Sequence, residues 1–264
     1  MGPENAALLN QSGQADFEYQ IMYQGADGTS FPTIAGSGAN GTMLHYETNR
    51  DICEDGTLLL MDLGAKYQGY CADITRTYPV NGHFTQQQRA VYEVVLEANR
   101  TIAKTARPGM TLRELNDVCK KVLAEGCIRL GLIENEEEIG TYYMHSVSHH
   151  LGIDVHDVNT LENDKLLPGM VISDEPAMYR TGEYGIRTEN MILVREDSET
   201  EFGKFLGFDT LTLCFIDTSL IIIPMLSVRE HAWLNKYHQM VYDKISPFLD
   251  EEEKAWLKEK TTEI

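Results

Sequence analysis

LLLMDLGAKYQGYCADITRT, residues 58–77, is the stretch on which the fold turns. Two apolar, strand-like runs flank a tight polar turn containing Gly69, the pattern of an antiparallel hairpin. Asp62 and Asp73 stand symmetrically within it, with their midpoint between Tyr67 and Gln68. That symmetry predicts two carboxylates directly opposite each other, with Cβ atoms roughly 4.5–5.5 Å apart. Like charges so placed in an apolar hairpin repel. A shared proton or a cation must compensate, and one divalent metal answers both carboxylates together.

Further along, VISDEPAMYRTGEYGIRTENMILV (171–194) repeats the arrangement, with Glu175 and Glu189 symmetric about Gly182. The connection is longer than a minimal hairpin, so its register is the less firmly set of the two. Between the acidic pairs lies MHSVSHHLGIDVHDV (144–158), which carries His145, His149, His150 and His156, four of the chain's eight histidines. Neutral imidazole beside carboxylates is a transition-metal arrangement. Several oxygen ligands with one nitrogen favour manganese, cobalt, iron or zinc over calcium. His150 has no role in the pattern and reads as a surface or packing residue.

The rest of the chain supplies a scaffold. Thr85-x-x-Gln88 and Thr111-x-x-Glu114 are capping-box patterns that open two amphipathic helices, the first ending before Pro108-Gly109. Phe17–Met22 alternates like a strand, so the ordered domain is expected to begin near residue 16, after a poorly defined lead over 1–16. GSGANG (36–41) lacks the Lys-Ser/Thr of a phosphate loop and reads as a turn near the site. Strands are expected near 170–179, 185–194 and 208–216. Helices are expected over 227–248 and 250–260, where the apolar spacing suits packing against a core or a dimer partner.

Composition excludes several classes. The chain has 264 residues, 42% of them apolar, enough for one sizeable domain or two small ones. No apolar run approaches the roughly 18 residues of a membrane span, and no leader pattern opens the sequence, so a soluble cytoplasmic protein is expected. Five cysteines without a C-x-x-C pair fit reduced, partly buried thiols. A net charge of −19 without a basic cluster argues against nucleic acid.

LHYETN (44–49), MDLGAKYQGYCADITRTYPVNGHFT (61–85), MHSVSHHLGIDVHDV, DEPAMY (174–179), GIRTEN (185–190) and TLTL (210–213) together resemble the pita-bread metallopeptidases, and within them the Xaa-Pro aminopeptidases. The resemblance runs from about Phe17 to about Asp217. It implies an α/β fold of two pseudo-symmetric halves, with a curved antiparallel sheet inside and helices outside. Residues 17–264 are then one catalytic domain with a C-terminal helical segment, without the extra N-terminal domains of longer relatives. The same resemblance assigns Asp62 to one metal, Asp73 and Glu189 to bridging positions, and His149 and Glu175 to a second metal. It places His45, His145 and His156 around the substrate, with Arg187 and Tyr179 in support.

The activity so implied is release of an N-terminal residue that precedes proline, with two divalent ions, Mn2+ foremost and Co2+, Zn2+ or Fe2+ as alternatives. Glu175 would carry a proton to the leaving nitrogen, and His156 or His145 would donate to the oxyanion. A dipeptide-only prolidase is the nearest competing reading, followed by a methionine aminopeptidase. A non-catalytic peptide-binding scaffold is the reading from another class. Glu189 is followed by Asn190 and Met191 where relatives frequently carry acidic residues, which alters the surroundings of that carboxylate.

Overall fold

The computed structural model describes residues 10–105, 107, 109–158 and 165–264. The chain divides into two compact units, the first ending at Leu211 and the second spanning Thr212–Ile264.

The first unit opens with a helix, α1 (Asn10–Tyr23), where alternation predicted a strand over Phe17–Met22. Polar contacts hold this helix, so no apolar stripe announces it. Asn10 is buried and its Oδ1 accepts from the Cys53 thiol, Gln14 Oε1 accepts from Asn49 Nδ2 at 2.9 Å, and Glu18 accepts from Thr33 Oγ1 at 3.2 Å. Tyr19 and Tyr23 stay exposed and stack on each other. Six residues of period-2 pattern could not outweigh these contacts. The helix therefore starts inside the stretch expected to be a loose lead.

Next come β1 (Gly28–Thr29), β2 (Ile34–Ser37), β3 (Leu58–Leu63), β4 (Ala65–Tyr67), β5 (Tyr70–Cys71) and β6 (Ile74–Pro79). β3 lies between β2 and β6, while β4 lies between β1 and β5, all pairs antiparallel. The β4–β5 loop is Gln68-Gly69, with φ of +50° and +84°. Both central residues are left-handed, the signature of a two-residue type I′ turn, and a glycine at the second position removes its steric cost. Tyr67 therefore pairs with Tyr70, and the same register carries into Asp62↔Thr75 and Leu63↔Ile74. The expectation that Asp62 faces Asp73 directly is corrected: Asp62 faces Thr75, two residues further along. A displacement of two leaves the face unchanged, so both carboxylates still point to one side as diagonal neighbours.

Helices α2 (Gln86–Thr105) and α3 (Leu112–Arg129) pack on each other. Both predicted capping boxes form. Gln88 N donates to Thr85 Oγ1 and Thr85 N to Gln88 Oε1, and Thr111 and Glu114 exchange the same pair of bonds. Pro108 lies outside the described residues.

The second acidic hairpin comprises β7 (Val171–Asp174), β8 (Ala177–Arg180), β9 (Tyr184–Arg187) and β10 (Asn190–Thr200), with β11 (Gly203–Thr210) on the other side of β10. Strand therefore ends at Thr210, short of the expected 216. Asp174 pairs with Asn190, and Ala177 with Arg187. One register runs through both ladders, so Glu175 and Glu189 fall opposite each other in the gap between them, as the symmetry about Gly182 predicted. Pro176 has no N–H to give, which accounts for the gap on its strand.

The two hairpins meet along β6 and β9. Glu189 N donates to Thr75 O at 3.1 Å, and Arg187 N donates to Thr77 Oγ1 at 3.1 Å. The 147–151 segment adds antiparallel to β7 through Glu175 N to Val147 O at 2.9 Å and Ser173 N to His149 O at 3.0 Å. The Gly-rich run ends β2 and forms a 3-10 turn, Gly38–Thr42. A Cβ at Gly185 would sit 1.9 Å from Gly41 O, so only glycine lets β9 lie backbone to backbone against this turn.

In the second unit, α4 (Val228–Ile245) and α5 (Glu251–Lys260) each open with a capping box, Ser227/Glu230 and Asp250/Glu253. Tyr237 is buried with its hydroxyl on the carbonyls of Thr212 and Cys214. All five cysteines are free thiols, four of them buried. Among the described residues no helix is long and apolar enough to cross a membrane.

Candidate metal centre

Each carboxylate of the site is delivered by strand alternation. Asp62 stands on β3, Asp73 and Thr75 share a face of the opposing chain, and Glu175 and Glu189 end the facing ladders. His149 comes from the segment beside β7, where its N donates to Ser173 Oγ at 2.9 Å. One ligand atom from each of Asp73, His149 and Glu189 lies within 4.8 Å of the others. Glu175 Oε1 is 3.3 Å and Asp73 Oδ2 3.6 Å from His149 Nε2, and the Asp62 carboxyl meets that of Asp73. The five residues singled out in the sequence thus all line one cavity of about 510 Å³.

Hydrogen bonding aims these groups. Arg187 donates from Nη2 to Asp62 Oδ2, from Nε to Thr75 Oγ1 at 2.9 Å and from Nη1 to the Tyr179 hydroxyl at 2.7 Å. The guanidinium has no lone pair to offer, so the Thr75 hydroxyl uses its proton to donate to Glu189 Oε2 at 2.7 Å. Ser173 Oγ reaches Glu175 Oε1 at 3.2 Å. One oxygen of each of three buried carboxyls is left over: Asp62 Oδ1, Asp73 Oδ1 and Glu189 Oε1 have no hydrogen-bond partner. A buried, unpartnered acceptor is costly, and three gathered in one place mark where a cation belongs.

The electrostatics agree. Burial first, then the charges of Glu189, Asp62 and Glu175, push the Asp73 carboxyl up to about 11. Burial and the Asp62 charge raise Glu189 to about 7, and burial with the Glu189 charge holds Glu175 well above the ordinary carboxylate range. Burial lowers His149 to about 4. Its Nδ1 lies 3.2 Å from His150 O, an acceptor that fixes the proton there and turns the Nε2 lone pair toward the carboxylates. Acceptors then face one another, which is stable only around protons or a cation. Four carboxylates and one imidazole form an oxygen-rich set with a single nitrogen, and they fit divalent metal.

The other predicted residues divide. His45, His145, His156 and Arg187 line the cavity. His156 is exposed and presents its ring edge-on to His149, 4.5 Å between centroids. His145 has both ring nitrogens engaged, with Nδ1 2.7 Å from Ser146 O and Nε2 2.9 Å from the Tyr179 hydroxyl. Tyr179 is fully buried and stands behind the wall. His150 pairs through its backbone with Ile172, and its Nε2 is buried without a hydrogen-bond partner among the described residues. Sequence reading passed over Thr75 and Ser173, although counting two residues from Asp73 and from Glu175 finds both.

Residues 10–196 match metallopeptidase family M24, and residues 204–264 match the C-terminal region of peptidase M24. The chain is 38% identical over 202 residues to the Xaa-Pro aminopeptidase of Escherichia coli K12, covering 69% of this chain and 46% of that protein. It is 34% identical over 192 residues to the mitochondrial intermediate cleaving peptidase 55 of Arabidopsis thaliana, covering 69% of this chain and 39% of that protein. Zinc-substituted E. coli aminopeptidase P in complex with product superimposes with a TM-score of 0.70 at 32% identity, over 88% of this chain and 53% of that one. The chain thus spans about half the length of these relatives. The mixed helical and antiparallel architecture is the pita-bread fold that the motifs implied.

Proposed function

Because the chain belongs to metallopeptidase family M24, we propose that it is a two-metal aminopeptidase that releases the first residue of peptides with proline in second position. The observation that carries this is the convergence of Asp62, Asp73, His149, Glu175 and Glu189 around three partnerless buried carboxylate oxygens. Asp62, Asp73, His149, Glu175 and Glu189 would hold the ions, which would supply a water of lowered pKa and polarise the scissile carbonyl. Manganese suits the donor set best. The free thiols suit a reducing compartment, for which we take the cytoplasm, and a homodimer is the assembly this reading carries.

The chain's own groups do the rest. Glu175 takes the proton of the attacking water at a carboxylate oxygen and passes it to the proline nitrogen as the bond breaks. His156, free at the cavity wall, donates to the oxygen that gains charge. His145 acts through Tyr179, whose hydroxyl it fixes against Arg187, while Arg187 and Thr75 keep Asp62 and Glu189 aimed at the ions. His45 also lines the cavity, where it would meet the peptide.

The test is metal stoichiometry together with turnover of Ala-Pro-Ala by the manganese-loaded chain. Two ions per chain and release of alanine are expected. Cleavage confined to the dipeptide Ala-Pro would make it a prolidase. A chain that bound no metal and cut neither peptide would be a recognition protein on the same fold.

A further inference from the structure

Apolar residues line the cavity beside the metal centre. Phe31, Pro32, Ile34 and Leu44 are among them, with Ile34 the cross-strand partner of Asp62, and the exposed Glu47 lines the same cavity. Five carboxylates line the cavity: Glu47, Asp62, Asp73, Glu175 and Glu189. Four of these are engaged in the metal centre. Arg187, the single Arg or Lys in the described lining, is committed to Asp62. Glu47 therefore faces the cavity with no ion pair or hydrogen bond from the described residues.

Its position is built. Leu44 packs against the cluster of Ile34, Tyr46, Leu60, Ala177 and Tyr179 and lines the cavity together with His45 and Glu47, while Tyr46 belongs to the buried cluster. Two anchors fix this short stretch. The Tyr46 hydroxyl lies 3.3 Å from Asp51 Oδ2. Asn49 is fully buried in the left-handed region, with Oδ1 accepting from Ala35 N at 2.8 Å and Nδ2 donating to Thr33 O at 2.7 Å. A carboxylate in a cavity that also offers apolar lining matches a side chain with an apolar stem and a cationic head.

We propose that Glu47 and the Phe31–Pro32–Ile34–Leu44 surface form a subsite for a basic side chain, making this chain selective for cationic peptides. The inference rests on the aminopeptidase reading and specifies its substrate. The net charge of −19 acts in the same direction, drawing cationic peptides toward the cavity. Glu47 is open to solvent, so its pairing is screened and the preference is modest, roughly two- to five-fold.

The manganese-loaded chain is assayed on four tripeptides: Lys-Pro-Ala against norleucine-Pro-Ala, and Ala-Pro-Lys against Ala-Pro-norleucine. Each pair holds the apolar stem nearly constant and changes the charge. In one of the two pairs kcat/KM is expected to favour lysine by roughly two- to five-fold at low salt, and the responding pair says whether the subsite receives the first or the third residue. Glu47→Gln should bring that ratio to about one, and Glu47→Lys should invert it. Added salt should shrink the ratio in the wild type and leave it flat in Glu47→Gln. Equal turnover within both pairs, or a lysine preference that survives Glu47→Gln, would overturn the subsite while leaving the aminopeptidase standing. Failure to cut any of the four would refute the aminopeptidase reading, and the subsite with it.

Discussion

Asp73→Asn separates what the site costs the fold from what it gives a metal. In the metal-free protein burial and three neighbouring carboxylates hold Asp73 up to about 11, so at pH 7 it carries a proton and an amide is close to its isostere. Below about pH 4 the substitution should therefore change metal-free stability by less than about 1 kcal/mol, and at pH 7 it should stabilise the metal-free fold, because only wild-type Asp73 gains by losing its proton on unfolding. Metal binding is another matter, because the ion loses one anionic ligand. A unit charge pair at contact in partly screened protein is worth about 4 kcal/mol, equivalent to roughly a thousandfold in affinity. At a manganese concentration about a thousandfold above the wild-type Kd, ligand stabilisation of about 4 kcal/mol is nearly all removed. For a chain of this size that is roughly 8–16 °C of midpoint. Thermal unfolding with EDTA and with manganese measures both quantities. In EDTA Asp73→Asn should coincide with wild type below about pH 4 and unfold at a higher temperature than wild type at pH 7, and in manganese it should lose most of the shift that wild type gains. A variant that kept the full manganese shift would refute the placement of Asp73 at the ion. One that unfolded in EDTA far below wild type would refute the protonated, metal-free site.

Further perturbations address the supports. Without metal, the raised carboxyls bind protons more tightly in the fold than in the unfolded chain. Their contribution is full below about pH 4 and is lost as pH rises through about 7 for Glu189 and on toward 11 for Asp73. Between pH 7 and 9 the metal-free wild type should lose about 1.4 kcal/mol per unit for each carboxyl still protonated in the fold, and Asp73→Asn should lose less; parallel slopes would count against the account. Thr75→Val strands Glu189 Oε2 and Arg187 Nε, and should cost about 2–3 kcal/mol by denaturant titration, with Thr75→Ser recovering most of it. Arg187→Met leaves Asp62 buried without its cation and should cost about 3–5 kcal/mol in the metal-free chain, with added manganese restoring part. Gly185→Ala drives a methyl into Gly41 O and should lower the unfolding midpoint and manganese affinity together; a variant with wild-type values would show that β9 need not touch the Gly-rich turn.

The site was more legible than the fold around it. Period-2 alternation puts Asp62, Asp73 and Thr75 on one face whichever even register holds, so a two-residue error in pairing left the chemistry intact. The error came from centring the hairpin on its acidic residues, whereas the backbone centres it on Gln68-Gly69, where φ is positive. The second hairpin, with the longer loop, was read in correct register because Gly182 lies at its middle. Helix α1 was misread for a different reason: polar bonds from Asn10, Gln14 and Glu18 hold it, and these leave no periodic trace. The choice of His149 among four histidines came from resemblance alone. What distinguishes it is tertiary: Ser173 places its backbone and His150 O turns its ring.

The supports also explain why so acidic a cavity can exist before any ion arrives. Arg187 touches Asp62, Thr75 and Tyr179 at once, so one cation steadies a carboxylate from the first hairpin from its own place on the second. Thr75 returns the link, rising from the first hairpin to hold Glu189 on the second. Each hairpin thus lends the other the group that keeps its carboxylate in place, and the oxygens not so held are the three that point inward without partners. Removing either link should leave the strands paired but let the carboxylates turn, loosening metal before it loosens the fold. Arg187→Met and Thr75→Val should therefore lose manganese affinity at denaturant concentrations where the strands still give a native circular dichroism spectrum. Loss of the spectrum before the metal would mean that these links hold the hairpins together and do not merely aim the ligands.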